Sequence, residues 1–167
     1  MQLPPLSLYV HLPWCERKCP YCDFNSHESA ALPEHDYVAA LLADLDSDLH
    51  LAEGRKIETL FIGGGTPSLF SAKAIEKLMQ GLNSRLLFAD DFEATMEANP
   101  GSAEADKFSG FLQASINRLS LGVQSFQDDK LRALGRVHNS DQARFAIEHA
   151  QSSGFHNFNI DLMHGLP

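Results

Sequence analysis

The chain has 167 residues, 44% of them hydrophobic, and a formal net charge of -9 with no basic run. That length supports one sizeable core, and the acidic balance argues against a nucleic-acid partner, which needs a Lys/Arg surface to displace counterions. No stretch approaches the ~20 uninterrupted apolar residues of a transmembrane helix. Met1-Gln2-Leu3-Pro4-Pro5 lacks the charged and apolar regions of a signal peptide, so the expected compartment is the cytoplasm, with membrane association only through a partner.

The elements alternate along the chain. An apolar run at Ser7–Leu12 predicts a first strand ending at Pro13. A helix is expected over Pro33–Ala52, with apolar residues at Tyr37, Val38, Leu41, Leu42 and Leu45 and a stop at Gly54. Ile57–Ile62 predicts the second strand, closing on Gly63-Gly64-Gly65-Thr66-Pro67. Ser71 begins a second helix carrying Ile75, Leu78, Met79 and Leu82. Phe92–Glu97 predicts the third strand, and a helix is expected from Ser102 to Ala114. Arg118–Val123 predicts the fourth strand, two helical stretches follow near 127–134 and 140–152, and Asn157–Leu162 predicts the fifth strand.

Strand–helix alternation of this kind implies an α/β fold with a parallel sheet and right-handed crossovers. An open or partial parallel β/α barrel is expected. The doubly wound alternative is weaker, because the sequence carries neither a dinucleotide Gly-x-Gly-x-x-Gly nor a phosphate loop. In a barrel the chemistry-bearing residues then fall at C-terminal strand ends, where such folds build their sites. The chain stops just after the fifth strand, leaving a naked parallel edge. The expectation is therefore the N-terminal part of a longer barrel, truncated after that strand, with a further C-terminal domain; a small complete domain is the alternative.

Cys15, Cys19 and Cys22, the only cysteines, are spaced Cys-x3-Cys-x2-Cys. Three clustered thiols in an unsignalled chain point to a metal rather than a disulfide framework. Four cysteines would close a tetrahedral zinc or ligate every iron of a cubane cluster, whereas three leave one coordination position open for chemistry. The alternatives are a structural zinc completed by His11 or His27, or reduced inert cysteines. Trp14, Pro20, Tyr21 and Phe24 in the loop would stiffen it and exclude water. Glycines at a strand end let backbone approach a ligand closely, although a tight turn explains Gly63-Gly64-Gly65 about as well.

The cysteine spacing, with Tyr21 just before the third cysteine, resembles the signature of the radical S-adenosylmethionine (SAM) enzymes. The resemblance implies a [4Fe–4S] cluster on the three thiolates and SAM chelating the fourth iron, with an electron from the cluster cleaving the sulfonium to a 5′-deoxyadenosyl radical. Leu8-Tyr9-Val10-His11-Leu12-Pro13, Glu97-Ala98-Asn99-Pro100, Gly122-Val123-Gln124-Ser125-Phe126, Leu134-Gly135-Arg136-Val137-His138 and Asn159-Ile160-Asp161-Leu162-Met163-His164-Gly165-Leu166-Pro167 look like the oxygen-independent coproporphyrinogen III oxidase group. Carried over position by position, Tyr9, Gly64, Gly65, Thr66, Glu97, Gln124, Arg136 and Asp161 would contact SAM. On their residue types alone, Glu97 and Asp161 read equally as caps and Arg136 as a solvated helix-end cation.

One departure bears on function. The oxidase carries a further cysteine two residues after the third, and here Phe24 stands there. Cys22-Asp23-Phe24-Asn25-Ser26-His27 resembles instead a haem-chaperone branch of the group, which binds haem, hands it to apo-proteins and lacks oxidase activity. That resemblance implies haem and haem-accepting apo-proteins as partners, a flavodoxin or ferredoxin-type electron donor, and a haem region largely C-terminal to this chain. The alternative is the oxidase itself, decarboxylating two propionates to vinyl groups in porphyrin biosynthesis. His11 is a candidate axial haem ligand, with a hydrogen-bonded structural role as the alternative.

Overall fold

A computed structural model describes residues 3–166, apart from the side chains of residues 102 and 103; Met1, Gln2 and Pro167 lie outside the described residues. Five strands form one parallel sheet in the order β1-β4-β5-β6-β7: β1 (Leu6–Leu12), β4 (Lys56–Gly64), β5 (Leu87–Ala98), β6 (Arg118–Gln124) and β7 (Phe158–Leu162). Two further strands of two residues, β2 (Trp14–Cys15) and β3 (His27–Glu28), pair in parallel beside it. Helices α1 (Glu34–Asp48), α2 (Ala72–Asn83), α3 (Ser102–Ala105), α4 (Phe108–Gln113), α5 (Asp128–Ala133) and α6 (Ser140–Ser152) connect the strands. The sheet is open rather than closed, as expected from the sequence.

The period-two alternation of the strands decides which face is covered. Leu8, Val10 and Leu12 of β1, Leu60 and Ile62 of β4, Ala94 and Met96 of β5, and Leu119, Leu121 and Val123 of β6 share one face. They form one core with Ile75, Leu78 and Met79 of α2, Phe108 and Phe111 of α4, and Ala143 and Ala150 of α6. Residues of the other parity are mostly polar. Thr59 Oγ1 donates to Ser7 Oγ at 2.7 Å, and the Arg118 guanidinium donates to Thr95 Oγ1 at 3.2 Å and to Asn159 Oδ1 at 2.7 Å. A parallel sheet buried on both faces reads as continuous apolar runs. This one alternates, as the inner face of an open barrel with its helices outside requires.

Several boundaries differ from those the sequence suggests. Helix α1 ends at Asp48 and a 3-10 turn, Leu49–Ala52, replaces its last expected turn, with Glu53 and Gly54 both at positive φ. The helix expected over Ser102–Ala114 is two short helices. The break falls at Lys107, whose ammonium donates to the carbonyls of Ser68 at 3.0 Å and Leu69 at 2.8 Å. Strand β5 begins at Leu87, five residues early. Its register steps from Ile57↔Phe88 to Thr59↔Glu93, so β5 bulges outward through Asp90 and Asp91.

Helix α2 is anchored at its start by a three-way contact. Ser71 Oγ accepts from the Ala74 N–H at 3.2 Å and donates to Glu34 Oε2 at 2.6 Å, while the Ser71 N–H donates to Glu34 Oε1 at 2.6 Å. The cap thus ties α2 to the first turn of α1. Ser71→Ala is expected to lower stability by about 1–2 kcal/mol, since it removes the cap and leaves one carboxylate oxygen of Glu34 unpaired. Urea unfolding would show this as a lower midpoint at unchanged slope.

Candidate cofactor site

A solvent-open cleft lies at the C-terminal ends of the strands. It is lined by Cys15, Cys19 and Cys22, Gly64, Gly65 and Thr66, Glu97, Gln124, Arg136 and Asp161. Of the three cysteines and the eight residues carried over as SAM contacts, Tyr9 alone is left out of this lining. It stands on β1, 56% exposed, and its hydroxyl donates to His11 Nδ1 at 2.9 Å. It is near enough to Glu97 for that carboxylate to add to the rise in its pKa, which burial chiefly causes.

The cysteine loop is held by its own backbone. The Cys22 N–H donates to the Cys19 carbonyl at 2.9 Å, closing a turn. The ladder between β2 and β3 brings the far end of the loop back beside Trp14 and Cys15. Lys18 ties the interior, its ammonium donating to the Phe24 carbonyl at 3.0 Å. His11 Nε2–H donates to the Asn25 carbonyl at 2.8 Å. A carbonyl can only accept, so the other ring nitrogen is the acceptor of the Tyr9 hydroxyl. Both nitrogens of His11 are therefore engaged in tethering the loop, which is the structural alternative raised by the sequence.

The glycine loop continues β4 and zips onto the cysteine loop. The Gly65 N–H donates to the Leu12 carbonyl at 2.8 Å and the Thr66 N–H to the Trp14 carbonyl at 2.7 Å. A Cβ at Gly65 would stand 2.5 Å from the Trp14 carbonyl oxygen. Gly64, at φ +121, turns its N–H to Glu97 Oε2 at 3.1 Å. Burial pushes the Glu97 carboxyl up; the Gly64 N–H opposes that rise and the Asp161 carboxylate adds to it.

Arg136 reaches the cleft because α5 ends in a Schellman motif. Gly135, at φ +70, donates to the Arg132 carbonyl and Arg136 to the Leu131 carbonyl. Asp161 is held from β6 and from its own strand: Ser120 Oγ donates to Oδ2 at 3.0 Å and Asn159 Nδ2 to Oδ1 at 2.7 Å. Gln124 stands at φ +67, an unusual backbone for a non-glycine residue, beside the ligand space.

Arg17, Ala98, Asn99, Ser120 and Gly122 also line the cleft and were not singled out from sequence. Asn99 bridges Thr66 Oγ1 at 3.2 Å and Arg136 Nη2 at 2.8 Å. Ser120 and Gly122 share the polar parity of β6 with Arg118. Period-two alternation along β6 is a signal that could have found Ser120 and Gly122; nothing in the sequence shows the Asn99 bridge.

The residues present fit a cluster and an amino-acid-bearing ligand. The three cysteines are free thiols, the carboxylates of Glu97 and Asp161 face the ligand space, and Arg136 Nε is buried with no partner in the protein. Among the described residues, no three His, Cys, Asp or Glu side chains gather closely enough for one metal ion. A single zinc would draw its thiolates to about 3.8 Å from one another, given bonds of about 2.3 Å, whereas a multi-iron cluster spaces its thiolates at its corners. Among the described residues, no helix is long and apolar enough to cross a membrane.

Residues 9–167 match the family described as the radical SAM superfamily, and the chain belongs to it. Membership implies a [4Fe–4S] cluster and SAM as cofactors. The chain is 55% identical over its whole length to the heme chaperone HemW of Escherichia coli and 53% identical over 99% of its length to that of Haemophilus influenzae. It spans 44% and 45% of those proteins, less than half their length. The solved coproporphyrinogen III oxidase HemN of Escherichia coli superposes with a TM-score of 0.86 at 34% identity, over 98% of this chain and 38% of that one.

Gly65→Ala is expected to push the Trp14 carbonyl away and destabilise the protein by about 1–3 kcal/mol. Iron uptake would fall with it, read as iron per chain after anaerobic reconstitution. His138 supplies a pH test. It is 4% exposed, donates from Nε2 to the Val123 carbonyl, and has its pKa lowered to about 4, by burial first and the Arg136 charge second. Between about pH 6.5 and 4 the unfolded chain binds a proton there that the native protein does not. Stability is thus expected to fall by about 2–3 kcal/mol as pH drops through that window. The half-buried Glu97 and the buried Glu104, both shifted up, act in the opposite sense, so unfolding curves of native protein and His138→Gln should converge as pH falls.

Proposed function

We propose that Cys15, Cys19 and Cys22 hold a [4Fe–4S] cluster and that SAM lies across Gly64, Gly65, Thr66, Glu97, Gln124, Arg136 and Asp161, with Tyr9 contributing from β1. The observation that carries this reading is the meeting of all three cysteines with the glycine loop and the charged trio in one cleft. The open iron left by three thiolates would take the amino and carboxylate groups of SAM, and the group so bound supplies one-electron cleavage of a sulfonium. The chain's own residues would bind and orient. Glu97 accepts from ribose hydroxyls or the ammonium, Arg136 pairs the carboxylate, and Asp161, fixed by Ser120 and Asn159, accepts from a sugar hydroxyl.

We infer further that residues 1–167 correspond to the N-terminal part of a radical SAM core, and that the whole protein binds haem and passes it to apo-proteins. The identity to proteins named heme chaperone HemW supports this, as does Phe24 at the position of the oxidase's extra cysteine. Phe24 is 62% exposed at the cleft. The haem region would lie largely in the remaining chain, because His11 has no free ring nitrogen. A flavodoxin or ferredoxin-type donor and a cytoplasmic setting belong to the same proposal. Coproporphyrinogen III oxidation, in porphyrin biosynthesis, is the less favoured reading.

Anaerobic reconstitution is expected to give about four iron and four sulfide per chain, and Cys19→Ala to lose the intact cluster; retention of a full cluster would show the ligand assignment to be wrong. In the full-length protein, haem titration with the cluster intact should saturate, and mass spectrometry should detect no decarboxylated porphyrinogen. Decarboxylation with SAM and reductant would establish the oxidase instead.

A further inference from the structure

Among the described residues, Arg136 is a cation without a carboxylate partner. Its Nη2 donates to the Asn99 side-chain oxygen at 2.8 Å and the Gly122 carbonyl at 2.7 Å, both neutral. Its Nε is buried and unpartnered. Its remaining nitrogen, Nη1, stands 3.6 Å from the Cys19 sulfur. Among the described residues, no ion pair within 4 Å includes Arg136. The uncompensated charge is felt nearby, where it adds to the lowering of the His138 pKa.

The contact with sulfur follows from the fold. The Schellman end of α5 sets the direction of Arg136, and Gly135 in that motif abuts the cysteine loop, where a Cβ would lie 2.8 Å from Pro20 Cδ. Helix end and cysteine loop are thus packed directly together. The guanidinium reaches the thiol next to Pro20 within the cleft that both line.

We propose that Arg136 sets the reduction potential of the cluster by donating a charge-assisted hydrogen bond to the Cys19 thiolate, a role separate from pairing a SAM carboxylate. The proposal rests on the cluster reading above. Hydrogen bonds to cluster sulfurs and nearby charge are principal determinants of such potentials. Reduction adds one electron to the cluster, taken from a low-potential reductant, and neither a bond nor a proton changes hands. The added negative charge is stabilised by the adjacent guanidinium, so the cation makes the cluster easier to reduce.

The test is an electron paramagnetic resonance redox titration of the reconstituted protein with dithionite, without SAM, so that carboxylate pairing is silent. Iron and sulfide are counted first. A native protein that takes up no four-iron cluster overturns the parent reading, and this one with it, before any titration. With clusters intact, Arg136→Met is expected to shift the midpoint to more negative potential. Arg136→Lys, which keeps the charge but loses the fork and shortens the reach, should fall between. A native midpoint in a fully loaded Arg136→Met protein would overturn the proposal. Should that variant fail to fold or load, the Lys variant decides: a negative shift supports the role and a native midpoint overturns it.

Discussion

The backbone pairing of two loops is the constraint on which the site depends. Gly65 and Thr66 donate to Leu12 and Trp14 at 2.8 and 2.7 Å, extending the β1·β4 pairing beyond the last residues of both strands. Nothing but hydrogen fits on the Gly65 α-carbon, with the Trp14 carbonyl oxygen 2.5 Å from where a Cβ would be. Cys15 is therefore fixed relative to the glycine loop by main-chain geometry rather than by long side chains. A site held in this way loses little rotamer entropy on forming.

The remaining groups are brought to that seam by alternation along the inner face. Glu97, Gly122 and Asp161 come from three successive neighbours in the sheet, β5, β6 and β7, and Arg136 comes from the turn that follows α5. Each charged group is held by others. Gly64 fixes Glu97, Ser120 and Asn159 fix Asp161, and Asn99 and Gly122 fix Arg136. Asn159 is in turn held by Arg118. The polar inner face thus supports the ligand-facing residues from below, while the apolar outer face gives the sheet its core.

Most of this was legible in the sequence where local rules apply. The strand–helix alternation, the Ser71 cap and the inward parity of the strands follow from residue types and period. The three cysteines, the glycine run and the family motifs pointed to residues that do share one cleft, Tyr9 excepted. Other features depend on contacts far apart in the chain. The break between α3 and α4 follows from the reach of Lys107 to carbonyls some 38 residues earlier. The bulge of β5 reflects its register against β4, and the β2–β3 ladder is too short to leave a pattern. By residue type alone Arg136 reads as a solvated helix-end cation, and only the family motif marks it as a ligand contact. Its approach to sulfur depends on the turn at Gly135 and on a cysteine 117 positions away.

In the proposed cluster, three thiolates leave one iron open for SAM. Mössbauer spectroscopy of protein reconstituted with iron-57, before and after SAM is added, tests it most directly. The expected result is a four-iron cluster in which SAM alters the signal of one iron and leaves the other three. A cluster whose irons all ignore saturating SAM, or a protein that holds zinc without sulfide, would contradict it.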